Sequence, residues 1–403
     1  MFRAVLLELM PAKLLGEHFH PTHGRPTKEL FAMAGLLFLQ EAFDWTNVAA
    51  VEAVLFRADV QFALRNRSEM PTAGFCRRRR RQLRRQPNLA LTVSRRPVII
   101  CRPLPGALRL SRPVAIVADD YGIGAETSRA ILELAREERV TATVLIVNAP
   151  DAERAVRAWL DASPPADLGW HPNLTLDRPM LPPAEVPSLV RADGSFWPLG
   201  AFLRRVCLGQ IRSADVRAEW VAQYRRFVEL VGRPPALVNS HQHVSLFPPC
   251  DAALFDVFRE ANVRPYMRRV IEPIGTLARV PGARIKRTTL NILGRRAARR
   301  AAACGVAGAD WLAGVTDPGC INDRFWDRWL GELANTGSIE LCCHPGFRDD
   351  TLIGRDCDEG DGLLRRPREA TLLRSPSFRD ACARAGLVPI RPSALPGVRT
   401  GGP

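Results

Sequence analysis

Four histidines and one pair of aspartates stand where a metal centre would need them. The chain has seven His. His171, His241, His243 and His344 fall in DLGWHPN, NSHQHV and ELCCHPG, each at or just past the end of a strand-like run. Asp119 and Asp120 close the apolar run RPVAIVADD in the same way. One Asp with two or three His makes an N/O shell for Zn²⁺ or a similar divalent ion with a water position open. Such an ion lowers the pKa of its water, and a nearby carboxylate can take the proton. Two adjacent Asp in one turn do not easily ligate one ion from the same side. One is therefore expected to ligate and the other to act as base, with a remaining His to protonate the leaving group. Each residue also has a structural reading: Asp is favoured as a helix N-cap, and a His at a strand end can be a hydrogen-bonded core or loop residue.

The elements that would carry these residues alternate in type. After RPVAIVADD the pattern predicts a helix over 125–138, a strand at TATVLIVNA and a helix at APDAERAVRAWLDA. A strand at DLGWHPNL, a proline-containing loop over 179–198 and a helix from Ser213 closing on Gly232 come next. PALVNSHQHVSLFP reads as a further strand, which would put His241 and His243 on one face. Strand–helix alternation argues for a parallel α/β architecture. In a parallel barrel, polar residues beyond the strand C-termini converge on one end. Glu219 and Gln223 share a helix face at i, i+4 and read as structural.

The blocks AIVADDYGIG, DLGWHPNLT, EWVAQYRRFVELVGRPPALVNSHQHV, IELCCHPG and RRPREATLLRSP, in that order over about 113–393, resemble the YdjC-like carbohydrate deacetylases. That group includes chito-oligosaccharide deacetylases and hopanoid-biosynthesis-associated deacetylases. The resemblance implies an α/β fold, a distorted (β/α) barrel of the NodB/YdjC-like deacetylase type. It also implies a hydrolase that removes the N-acetyl group from an acetylated amino sugar, using one divalent metal ion, Mg²⁺ or Zn²⁺. Carried over block by block, Asp120, His171 and His241 would hold the metal, Asp119 would be the general base and His344 the general acid. His243, Asn173 and Arg268 are candidate substrate contacts. One departure stands out: the family block often reads H-x-H-x-H, and here the third position is Ser245.

Charge sets the remaining limits. The 403 residues carry a formal net charge of +15 and a pI near 10.2, which first suggests nucleic acid or an anionic membrane. Residues 1–112 hold 19 Lys and Arg against 8 Asp and Glu, whereas 113–403 hold 38 against 34. Residues 1–66 resemble the N-terminal helical domain of insertion-sequence transposases without a catalytic core. Residues 67–112, with CRRRRRQLRRQPN, read as a basic, disordered linker. The expected division is thus 1–66, 67–112, a deacetylase domain over 113–395 and a tail over 396–403. The alternative function is a catalytically impaired fusion product with a residual nucleic-acid-binding fragment; nucleic acid is not expected to bind the catalytic domain.

Eight cations and no carboxylate lie between Arg279 and Arg300. This segment resembles, loosely, the hopanoid-associated branch. There the substrate would be a lipid-linked amino sugar, and the basic helix would meet an anionic membrane at its inner face. The ten cysteines form no C-x-x-C pair, and no signal-peptide pattern or membrane-length apolar run is seen, so a cytoplasmic protein is expected; the sequence leaves the oligomeric state open, a homodimer included.

Overall fold

The computed structural model describes residues 111–280, 283–315, 329, 337–395 and 398. The chain divides into two units, Met1–Leu110 and Ser111–Pro403, and all described residues lie in the second. The transposase-like segment with His18, His20 and His23, and nearly all of the basic linker and of the tail, fall outside the described residues.

The first strand organises the domain. β1 (Arg112–Tyr121) is buried from Val114 onward on both faces, as a run without polar alternation requires. After it come α1 (Ala125–Arg136), β2 (Ala142–Leu145), α2 (Ala152–Ala162) and β3 (Asp167–Trp170). The proline-containing loop leads to α3 (Leu199–Cys207) and α4 (Ser213–Val231), which ends on Gly232 in the left-handed conformation expected of a helix C-terminus. β4 (Leu237–Val238), α5 (Cys250–Glu260), β5 (Tyr266–Met267), α6 (Ile274–Arg279), α7 (Arg284–Ala303) and β6 (Trp311–Ala313) follow. The chain then returns through β7 (Ile339–Cys343), α8 (Asp361–Arg374), α9 (Pro376–Arg384) and β8 (Leu387–Pro389).

Every strand pairing is parallel. The order is β5-β4-β3-β2-β1-β7-β6, with β8 pairing the start of β1. The two ends of the row come together where Leu312 N of β6 donates to Ile271 O just past β5 (2.8 Å). The result is the distorted parallel β/α barrel expected from the sequence, with helices outside and strand C-termini at one mouth.

One expectation needs correction. The strand read through NSHQHV is only Leu237–Val238, and residues 241–246 form a 3₁₀ turn. Gln242 and His243 both have positive φ (52° and 56°), so His241 and His243 do not share a strand face. The basic segment does not turn all of its cations to solvent. Arg287 is buried in an ion pair with Glu272, and Arg296 and Arg300 both reach Asp251. Leu290, Leu293, Ala297 and Ala301 of α7 are core residues.

Candidate active site

The pairing between β1 and β2 is regular up to Ala118 and resumes shifted at Tyr121. The break falls on the two aspartates, and Asp120 has φ 68°. A bulge of this kind re-aims side chains at the end of a strand. Here it turns two consecutive carboxylates toward different partners. Neither caps α1, whose N-cap is Gly124.

Asp120 faces two histidines. Its Oδ1 lies 3.3 Å from His171 Nε2 and 3.0 Å from His241 Nδ1. His171 follows β3 directly, and His241 opens the turn after β4, so the sheet order itself brings them together. The Nδ1–H of His171 donates to Asn239 O (2.8 Å). That bond leaves Nε2 turned toward a carboxylate oxygen. His241 Nε2 is buried without a hydrogen-bond partner. The donor set Asp120, His171 and His241, all buried, fits a divalent ion, and its atoms converge within one ligand sphere.

Asp119 faces the other way. Arg268, just past β5, forks onto it with Nη1 to Oδ2 (2.6 Å) and Nη2 to Oδ1 (2.8 Å). Asn239 Nδ2 and Cys342 Sγ also donate to it, each at 3.3 Å. His344 Nε2 stands 3.8 Å away, with its Nδ1 unpartnered. Burial alone would raise the Asp119 pKa, but the Arg268 charge overcomes it and holds the carboxyl below its usual range. Asp120 is likewise held well below the usual range, here against burial by Arg366 and by the hydrogen bonds of the two histidines. For His241, burial works downward and Asp120 outweighs it, so its pKa is raised.

The candidate substrate contacts are placed differently from one another. Arg268 is only 4% exposed and is committed to Asp119 and, through Nε, to Glu340. Its geometry is that of a residue holding Asp119, not of a substrate contact. Asn173 is fully buried: its amide donates to Leu176 O (2.7 Å), and its oxygen accepts from Thr175 N and Leu176 N. It shapes the loop after His171 and has no amide hydrogen-bonding capacity turned outward. His243 is half-buried, and burial together with the nearby Arg268 charge pushes its pKa down. Ser245 is buried in a hydroxyl pair with Ser240 (2.7 Å). Glu219 and Gln223 do tie the loop as expected, to Met180 N, Leu181 N and Asn173.

Sequence reasoning gave no role to three residues the site depends on. Arg366 Nη2 bridges Asp120 Oδ2 and Asp356 Oδ2, each at 2.7 Å. Glu369, on the same helix, accepts from His344 N and so fixes the start of the H-P-G turn. Glu340 couples Arg268 to Tyr266, whose hydroxyl donates to it (2.6 Å). Glu340 sits in the IELCCHPG block, and Arg366 and Glu369 sit in the RRPREATLLRSP block, which was the available signal.

The YdjC-like protein family model matches residues 113–384. The chain belongs to the YdjC-like family. It is similar to a chitooligosaccharide deacetylase of Proteus mirabilis (strain HI4320), 37% identical over 273 residues, 67% of this chain and 93% of that protein. It is also similar to a carbohydrate deacetylase of Mus musculus, 28% identical over 289 residues, 68% of this chain and 92% of that protein. Among solved structures, a protein from Enterococcus faecalis V583 described as a cellobiose-phosphate cleavage protein aligns with a TM-score of 0.57 at 23% identity. That alignment covers 71% of this chain and 99% of the other, and supports the fold. All of these alignments leave about a third of the chain uncovered, and the family match begins one residue after Arg112, at the start of β1. Within the YdjC-like domain, the two aspartates, the two Asp120-facing histidines and His344 lie at the mouth formed by β1, β3, β4 and β7.

Proposed function

We propose that the chain is a metal-dependent hydrolase that removes the N-acetyl group from an acetylated amino sugar. The observation that carries the reading is the division of two adjacent buried carboxylates. Asp120 turns to His171 and His241, while Asp119 turns to Arg268 and His344. Relatives named as carbohydrate and chitooligosaccharide deacetylases support the substrate class.

In this reading Asp120, His171 and His241 hold one divalent ion, Zn²⁺ or Mg²⁺. A bound ion would acidify a water and polarise the acyl oxygen. Asp119 takes the proton from the attacking water, and Arg268 keeps it ionised and oriented before it does so. His344, part exposed on the far side of Asp119, delivers a proton to the leaving amine. Glu340 holds Arg268 in place from behind. Half-buried His243 borders the substrate.

The test is acetate release from N-acetylglucosamine oligosaccharides and glycolipids, with divalent metal removed and then restored. Metal-dependent release that Asp119→Asn abolishes is expected. Release that survives chelation, or full activity in Asp119→Asn, would overturn the reading.

A lipid-linked sugar and peripheral contact with an anionic membrane extend the same proposal. Arg284, Arg295 and Arg299 lie on the exposed face of α7. Sedimentation with phosphatidylserine vesicles checks it; binding that Arg295→Glu/Arg299→Glu does not weaken would exclude this face. Cytoplasmic placement is supported by seven cysteines that form no disulfide among the described residues, as in a reducing compartment. No helix among them is long and apolar enough to cross a membrane.

A further inference from the structure

The structure assigns Arg366 as the residue that makes Asp120 a one-oxygen ligand and thereby sets which cations the site accepts. The inference rests on the metal assignment proposed above. Asp120 has two carboxylate oxygens with separate surroundings. Oδ1 faces His171 and His241. Oδ2 accepts from Arg366 Nη2 at 2.7 Å. The same Nη2 binds Asp356 Oδ2, so a second carboxylate holds the nitrogen that Asp120 uses.

The arginine stem is fixed as well. Gly346 N donates to the Arg366 carbonyl (3.2 Å). A Cβ added at Gly346 would stand 3.0 Å from Arg366 Cβ, 3.2 Å from its Cδ and 3.1 Å from Thr127 Oγ1. The glycine of the H-P-G turn is therefore what lets this side chain run past the turn to Asp120. His344, two residues earlier, has its backbone N–H held by Glu369 of the same helix. One helix, α8, thus positions both the turn and the ligand carboxylate.

The chemical consequence concerns the size of the ion. Large, oxygen-seeking cations such as Ca²⁺ fill six to eight positions and often take both oxygens of one carboxylate. Zn²⁺ is satisfied by four ligands and accepts imidazole readily. With Oδ2 occupied by a guanidinium, Asp120 offers Oδ1 alone. Two imidazoles and a single oxygen suit the smaller ion. Removing the guanidinium releases Oδ2 and favours the larger one.

The experiment is calorimetric titration of the full chain with Zn²⁺ and separately with Ca²⁺, in wild type, Arg366→Gln, Arg366→Met and Gly346→Ala. The readout is the ratio of the two affinities. Loss of the site's general integrity would weaken both ions and leave the ratio alone. The expected result is a shift of about tenfold toward Ca²⁺ in both Arg366 variants. A smaller shift in the same direction is expected in Gly346→Ala, which keeps every charge and presses on the stem and on Thr127. Two neutral replacements of different shape guard against one failing to fold, and Gly346→Ala guards against both. An unchanged ratio in the folded variants overturns the inference while leaving the metal site standing. A wild-type chain that binds neither ion overturns the metal assignment itself.

Discussion

The two sides of the Asp119–Asp120 pair are built from different material. On the Asp119 side the partners come from strand ends: Arg268 after β5, and Glu340 and Cys342 within β7. The net result is a closed, buried ion-pair network with Tyr266 at its far end. On the Asp120 side the partners come from loops and a helix: His171, His241, and Arg366 from α8. That side keeps unpartnered nitrogen at His241 Nε2 and Arg366 Nη1, whereas on the Asp119 side both carboxylate oxygens are taken by Arg268 and the unpartnered atoms, Asn239 Oδ1 and His344 Nδ1, belong to its neighbours. A carboxylate clamped by a guanidinium has its charge fixed, whereas an oxygen that faces two imidazoles is prepared to receive something. The contrast gives two adjacent, chemically identical residues different work.

The sharpest way to break the comparison is to neutralise each carboxylate in turn. Asp119→Asn is expected to lower acetate release by about 10²–10⁴-fold while changing metal affinity little. Asp120→Asn is expected to lose about 10–100-fold in metal affinity as well as activity. Calorimetry beside an acetate assay separates the two, and equal metal loss in both variants would erase the distinction.

Stability comes next. Arg268→Met leaves Asp119 and Glu340 buried without their common cation, and should cost about 3–5 kcal/mol in denaturant unfolding. A variant as stable as wild type would mean that the network is not closed.

Gly169 tests whether the strands set the spacing of the two histidines. A Cβ there would lie 2.3 Å from Leu237 O, between β3 and β4. Gly169→Ala should cost roughly 1–3 kcal/mol by overpacking. Metal affinity should fall with it, since His171 and His241 follow those two strands. Unaltered metal affinity would show that the loops alone place the ligands.

The smallest effect is a pH dependence away from both sides. Burial pushes the Glu219 pKa up to about 7 from 4.5, against the hydrogen bonds it accepts from Gln223, Met180 and Leu181. A carboxyl with a raised folded-state pKa binds its proton more tightly when folded. Its contribution is complete below about 4.5 and is lost as pH rises through about 7. Unfolding free energy should therefore decline by roughly 1–3 kcal/mol across that window. Glu219→Gln should flatten the decline, and an identical slope in the variant would place the titration elsewhere.

What the sequence made legible follows the same division. Asp119, Asp120, His171, His241 and His344 could be found because each ends an apolar run, and a parallel barrel collects strand ends at one mouth. The parallel architecture itself followed from strand–helix alternation. His243 was misplaced because two consecutive left-handed residues leave no periodic trace, so NSHQHV looked extended. Arg366 was silent for another reason. It lies on α8 in a stretch with four Arg, where periodicity cannot say which of them turns inward. Arg268 was read as a substrate contact because a lone basic residue after a strand gives no hint of the carboxylates facing it across the barrel. Which cations of the basic helix turn inward was equally silent: Arg287 meets Glu272, and Arg296 and Arg300 meet Asp251, only once the chain is folded.

β1 is the longest described strand, pairs with three others, and ends on both functional aspartates. The two carboxylates are therefore not mounted on an element that can open by itself. Thermal loss of metal affinity should coincide with loss of the far-ultraviolet circular dichroism signal in one cooperative transition, with no earlier inactivation step, because the centre can come apart only when the middle of the barrel does.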